Sequence, residues 1–350
     1  MATLGQTTYS WPTLLDVAKR TDPNGQIPQI AEILSQYHMI MDMLPYVEGN
    51  LPTGQQHTVR NSLPTPTFRL LNQGVTPAKS TTGQIVDTCA LLESRSHVDV
   101  EVANLNGNTA AFRMSEALAF IQGMTNTIAS TLITGDVSVD PERFNGLQSR
   151  YFSLGSTYTT SSQLLDAGGT GSDNTSIWLL GLGPNSVFMT YPKGSQVGLE
   201  HMDRGIQTVA DANNSGTYFE AYVDVWKWKC GLAIKDYRNV VRVCNVDVSN
   251  LATFGDSSPT NANILKYMSL AIDNLPPDHK AMKPVFLMSK NTLSALRYLA
   301  LTQANVNLTV QQWYNESVPR HMNPVFFQGI PCLRMDGITS TEARITTATT

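Results

Sequence analysis

The sequence predicts an α+β chain in which long segments lie outside any core of their own. Three observations carry this expectation. Residues 108 to 134 hold one apolar stripe at helical spacing. Residues 51 to 105 read as a two-stranded ribbon too poor in apolar side chains to bury itself. The last hundred residues alternate helix and strand around short buried runs, the pattern of a mixed α/β layer.

The first fifty residues read as an arm of short helices. Trp11 to Arg20 is one, with Pro12 in its first turn, and Asp22-Pro23-Asn24-Gly25 is a turn. A second helix from about Pro28 spaces Ile30, Ile33, Leu34 and Tyr37 along one face. From residue 51 helical periodicity gives way to Pro, Thr and amides. His57 to Arg60 and Phe68 to Leu71 are short β-type runs. A return strand starts near Gly83 and ends in the alternation Val98, Val100, Val102 against Asp99 and Glu101.

The long helix follows, capped by Asn108 or Thr109 and stopped at Gly135. Met114, Leu118, Ile121, Met124, Ile128 and Leu132 form its stripe, opposite Arg113, Glu116, Gln122 and Asn126. At about 36 Å it is a beam across a domain. Residues 136 to 176 are rich in Gly, Ser and Thr and irregular. Strands resume at Ser176 to Leu180 and Ser186 to Tyr191. A further ribbon, Tyr218 to Cys230 and Leu232 to Val248, alternates Trp226 and Trp228 with Lys227 and Lys229, a packed sheet with one wet side. Helices at Asn261 to Asn274 and from Ser289 flank the strand Val285 to Met288, and Phe326 to Leu333 turns back into a final strand.

Composition excludes several classes. Basic side chains number 24 against 28 acidic ones, a net charge of −4, so this is no chain that lives by neutralising phosphates. Hydrophobic residues make up 41%, too many for a disordered chain, and no apolar run approaches a membrane span. Nothing in Met1 to Arg20 marks a secretory signal. Cys89, Cys230, Cys244 and Cys332 are scattered and read as buried thiols of a reducing cytosol. Chemistry is equally absent from the pattern. The six histidines are dispersed, and no nucleophile elbow, zinc motif or carboxylate pair occurs. His201-Met202-Asp203-Arg204, the one spot combining His, Asp and Arg, reads as a polar loop. The glycine loops at Asp166 to Asp173 and Gly181 to Asn185 lack what phosphate or dinucleotide binding needs. No catalytic residue, metal ligand or cofactor is expected.

The order of arm, ribbon, long helix and α/β layer resembles the major capsid proteins of tailed double-stranded DNA bacteriophages, with the Hong Kong 97-type fold. Val47-Glu-Gly-Asn-Leu-Pro-Thr-Gly54, Leu70-Leu-Asn-Gln-Gly-Val75, Asn104-Leu-Asn-Gly-Asn108 and Phe112-Arg-Met-Ser-Glu-Ala117 are similar to a podovirus-like branch. Pro284-Val-Phe-Leu-Met-Ser289 and Gly329-Ile-Pro-Cys-Leu333 resemble the axial domain's strand–helix–strand.

The resemblance implies an N-terminal arm (1–50), an extended loop (51–105), and a peripheral domain (106–254) with a spine helix at 108–134. An axial domain (255–325) and a returning strand with the C-terminal tail (326–350) complete it. It implies pentamers and hexamers of one chain tiling an icosahedral head around DNA held without sequence-specific contacts. Assembly takes place in the host cytoplasm, with no membrane. The partners are a portal protein, a decoration or cement protein, and a scaffolding protein separate from this chain, since only about fifty residues precede the loop. By segment, contacts between subunits are expected through Trp11, Tyr37, Arg60, Phe68, Arg69, Lys79, Arg95, Asp99, Glu101, Arg113 and Glu116. Some family members join their loops by Lys–Asn isopeptide bonds. Lys79, the one lysine between Lys19 and Lys193, is read instead as a solvated tip lysine, because no partner Asn or catalytic Glu can be named.

The rival reading is a phage tail or fibre protein, but the repeats and coiled coils of that class are missing. Charged residues are 15% of the chain against ~25% in ordinary soluble domains, which suits a subunit contacted on several sides. Charges are then expected on the inner and outer faces, and not along the lateral contacts of arm and loop.

Overall fold

The strand Asn174–Leu182 is buried at all nine positions and forms the axis of the larger of two units. The chain is described by a computed structural model over residues 11–13, 16–17, 38–156, 158–211, 216–251, 263–276, 282–302, 308–309 and 325–347. In this unit Asn174–Leu182 runs antiparallel to Val240–Asp247 on one side and to Lys283–Met288 on the other. Ile330–Arg334 then pairs parallel with Lys283–Met288, joined to it through the helix Lys290–Thr302, as a parallel connection requires. Val325–Phe327 pairs antiparallel with Ile330–Arg334, and Leu308–Thr309 pairs antiparallel with Val325–Phe327 at the edge. The helix Ile264–Asp273, capped by Asn263, and the helix Lys290–Thr302 cover one face. Their Met268, Ala271, Leu293 and Leu296 pack against Ile177, Leu179, Val241 and Phe286.

A buried ion pair closes the larger unit. Arg242 is 4% exposed and its guanidinium meets Glu342 at 2.8 Å, Ser176 at 3.0 Å and the Tyr151 carbonyl at 2.7 Å, over the Trp178 ring. Around it the C-terminal segment is laced down by backbone bonds from Glu342 to Asn174 and from Leu154 to Thr346, and by Asn245 bonding both sides of Ile345.

The ribbon belongs to this unit as well. Gly54–Ser62 pairs antiparallel with Thr81–Thr88, from Gly54 opposite Thr88 to Ser62 opposite Thr81, with a bulge between Arg60 and Ser62. Residues 63 to 80 form the tip without strand structure, turning at Asn72 with φ +68°. The β-run expected at Phe68 to Leu71 is therefore corrected: it has no strand opposite to pair with. The root is fixed where Gly231 meets it. A side chain there would stand 2.5 Å from the Thr88 carbonyl and 3.0 Å from Cys89 Cα.

The smaller unit is built from Leu91–Ile128 and Gln196–Lys229, together with the described arm residues 11–13 and 16–17. Leu199–Ala210 pairs antiparallel with Tyr218–Ile234, and Ala90–Asp99 lies beside the same long strand. Tyr218–Ile234 is one continuous strand passing straight through Gly231, so the break expected between Cys230 and Leu232 is corrected. The chain turns instead at Tyr237–Asn239, where Asp236 accepts from the Arg238 amide. The alternation through Val102 also stops short. The strand ends at Asp99, whose carboxylate accepts from the Glu101 amide and starts the short helix Val100–Ala103. In the arm, the Thr13 amide and hydroxyl donate to Asp16 at 2.9 and 2.8 Å. Both bonds end on one Asp16 oxygen, and Pro12 lies ahead of the helical residues Asp16 and Val17. The helix expected from Pro28, with Tyr37, lies outside the described residues.

The helix Thr109–Thr134 matches its expected bounds, and its stripe divides. Met124, Ile128 and Leu132 are buried, whereas Met114 and Leu118 are 66% and 53% exposed. At that end Phe112 is buried in their place, among Val17, Val98 and Ala103. The helix turns a different face inward along its first half because the apolar positions include Phe112 as well as the stripe.

Candidate assembly surfaces

The ribbon tip is the most exposed apolar region of the described residues. Phe68 and Leu71 are 109% and 90% exposed, and Leu63, Leu70 and Val75 accompany them. From Gly49 to Val86 the chain carries no Asp or Glu, only Arg60, Arg69 and Lys79 as fixed charges. An exposed apolar, weakly cationic surface of this kind is a candidate for contact with another molecule. Arg69 bonds the Gln73 carbonyl at 3.2 Å and shapes the tip turn. Arg60 and Lys79 are exposed.

At its root the ribbon is anchored by charge. Asp87 is 3% exposed and accepts from Arg150 at 2.7 Å and from the Ile234 amide at 3.3 Å. Arg150 also donates to the carbonyls of Leu232 and Asn145. The imidazole of His57 stands 3.8 Å from Asp87 with only 7% of the side chain exposed. None of Asp87, Arg150 or His57 stood out in the sequence. The signal that could have drawn attention to Asp87 is that it ends the acid-free stretch.

Tyr37 lies outside the described residues, and the other expected contact residues fall in the smaller unit. Arg113 lies between Asp203 at 2.8 Å and Asp224 at 3.0 Å, over the Tyr222 ring, and these carboxylates hold the guanidinium's pKa above its ordinary value against the effect of burial. His201 bonds Asp224 at 3.0 Å and stacks on Trp226, whose ring also stacks with Phe120. The segment His201 to Arg204 is thus part of a strand, where a loop was expected, because its side chains alternate across the pairing with Tyr218–Ile234. It forms a structural ion-pair cluster. Arg95 pairs with Glu93, which also meets Lys227. Asp99 is spent as a cap, Glu101 is exposed and Glu116 is buried. Trp11 packs on Phe219 at 5.3 Å. Met114 and Leu118 add an exposed apolar strip that the periodicity had assigned to the core. Among the described residues no group of three or more His, Cys, Asp or Glu is placed to hold a metal, and no helix is long and apolar enough to cross a membrane.

Comparisons with known proteins agree with a shell subunit. The family model described as major capsid protein GP7 matches residues 22–346. A chain of the cryo-EM structure of bacteriophage Epsilon15 is similar over 99% of this chain and 99% of its own, at 30% identity and a TM-score of 0.77. Two structures of the bacteriophage JBD30 capsid are more distant. One is at 10% identity and TM-score 0.43; the other, decorated with minor capsid protein trimers, is at 12% and 0.45. Each covers 95% of this chain and 96% of its own. No curated protein matches.

Proposed function

The chain belongs to the major capsid protein GP7 family, and on that premise we propose that its copies close into pentamers and hexamers tiling an icosahedral head around double-stranded DNA. It is a capsid-forming structural protein of a phage virion, and the tail or fibre reading is not favoured. The observation that carries the proposed mode of assembly is the ribbon. Its tip presents Phe68 and Leu71 to solvent, has no acidic residue, and buries nothing of its own. A second copy supplies the missing cover. Because ribbon and receiving surface differ, the contact is heterologous and closes into rings around symmetry axes.

On this reading residues 1–50 serve as the arm, 51–105 as the extended loop, 106–254 as the peripheral domain, 255–325 as the axial domain and 326–350 as the returning strand and tail. Arg60, Phe68, Arg69 and Lys79 make contacts through the ribbon, and Trp11, Tyr37, Arg95, Asp99, Glu101, Arg113 and Glu116 lie in segments that receive or flank it. The role is structural, without a reaction to catalyse. A separate scaffolding protein directs closure in the host cytoplasm, a portal protein occupies one vertex, and a decoration protein binds outside. DNA is enclosed without sequence readout, in keeping with a net charge of −4.

Electron microscopy of the full chain, expressed alone and with the scaffolding protein, tests the reading. Capsomers or closed shells are expected, with correct closure only in the second case. Isolated monomers or trimeric fibres in both would overturn it.

A further inference from the structure

Backbone meets backbone at the root of the ribbon. A Cβ at Gly231, on the strand Tyr218–Ile234, would stand 2.5 Å from the Thr88 carbonyl, 3.0 Å from Cys89 Cα and 3.2 Å from Cys89 Sγ. The first two obstacles are main chain, which cannot step aside as a flexible side chain can. Within the ribbon, Gly54 is as tightly enclosed, since a Cβ there would meet the Asp87 carbonyl. The neighbouring bonds fix the same stretch. Asp87 accepts from Arg150 at 2.7 Å and from the Ile234 amide at 3.3 Å, and the Cys89 amide donates to the Thr53 carbonyl at 2.9 Å. Asp87, Thr88 and Cys89 are thus held at three consecutive positions. Gly74, at the tip, is the opposite case, because a Cβ there would meet nothing within 4 Å.

We propose that Gly231 is a positioning residue for assembly: by letting the Thr88–Cys89 backbone lie directly on the strand, it sets the angle at which the ribbon projects, and so where Phe68 and Leu71 meet a second copy. The proposal rests on the ribbon being the segment that reaches a neighbour. It adds that one bare backbone position aims it.

Leverage makes this position sensitive. A methyl at Gly231 reaches ordinary van der Waals distance only if the Thr88 carbonyl moves back by about 1 Å. Pivoting on Asp87, with about 3.3 Å of strand per residue, that displacement tilts the ribbon by roughly 10°. The strand Gly54–Ser62 runs nine residues, about 30 Å, so the tip moves by about 5 Å. A heterologous contact that closes into rings at one angle does not close at another.

Distances between nitroxides on the unassembled full chain test the angle. Labels at Gln73→Cys in the tip and at Glu142→Cys or Lys283→Cys on the body, all exposed positions, give two pulsed-EPR distances. Gly231→Ala should shift at least one of them by about 5 Å, and Gly74→Ala neither. Under electron microscopy Gly231→Ala should lose shells of the parent diameter, which Gly74→Ala should keep. Gly231→Ala combined with Cys89→Ala, which removes the Sγ contact, serves should the single variant fold poorly. Parent distances in the Gly231 variants, or shells of parent diameter from them, would overturn the proposal. Loss of folding in both would overturn it too, by making Gly231 a residue of folding alone. A parent chain that forms no capsomers fails the capsid reading, and the two distances still judge the angle.

Discussion

Arg150 and Asp87 meet at 2.7 Å beneath the root of the ribbon, 63 residues apart in the chain. The pair joins the ribbon to the body of the larger unit, since Arg150 also holds the Leu232 and Asn145 carbonyls. Asp87→Asn leaves that guanidinium without its counter-charge. Breaking one side of a buried pair costs about 3 kcal/mol, so the urea midpoint of the unassembled chain should drop accordingly. A change under ~0.5 kcal/mol would mean that solvent already carries the charge.

The C-terminal segment contributes a second buried charge. Glu342 neutralises Arg242, and both side chains are under a tenth exposed. Glu342→Ala should destabilise by about 3–5 kcal/mol, while Arg242→Met combined with Glu342→Leu should recover most of the loss, because the lone charge is worse than no charges. Thermal melts of the three variants decide it. A double variant as unstable as the single would show that the pair contributes through Ser176 and the Tyr151 carbonyl instead.

Thiol burial gives the chain an alkaline limit. Burial pushes Cys230, Cys244 and Cys332 up to about 12 from an ordinary 9. The unfolded chain thus loses these protons first, and stability is complete below about pH 9 and falls as pH rises towards 12. Urea midpoints between about pH 8 and about pH 10.5 should decline less steeply when Cys244 and Cys332 are both alanine. Equal slopes would assign the alkaline loss to other groups.

The ribbon tip separates assembly from folding. Phe68→Ser with Leu71→Ser removes apolar surface that the lone subunit leaves in solvent. Subunit stability should change by no more than about 0.5 kcal/mol, and sedimentation should show the loss of capsomers and shells. Normal shells from this variant would move the contact elsewhere on the chain.

Local pattern made much of this fold legible. The bounds of the long helix followed from its stripe and its glycine stop, and the ribbon followed from a stretch with too few apolar residues to bury. Where tertiary partners decide, pattern misled. Phe68 to Leu71 has strand-forming residues and no strand opposite, and Val100 and Val102 continue an alternation that the Asp99 cap interrupts. Met114 and Leu118 fit the stripe, yet Phe112 takes the core position beside them. The buried charges were invisible, since Asp87 with Arg150 and Arg242 with Glu342 are distant in sequence and look like ordinary surface residues until the fold brings them together.

A cryo-EM reconstruction of assembled particles, resolved to side chains along residues 61 to 80, tests the central claim most directly. The tip should lie on an adjacent subunit, with Phe68 and Leu71 covered and Lys79 at the rim. A tip folded against its own subunit, or left in solvent in a closed shell, would contradict it.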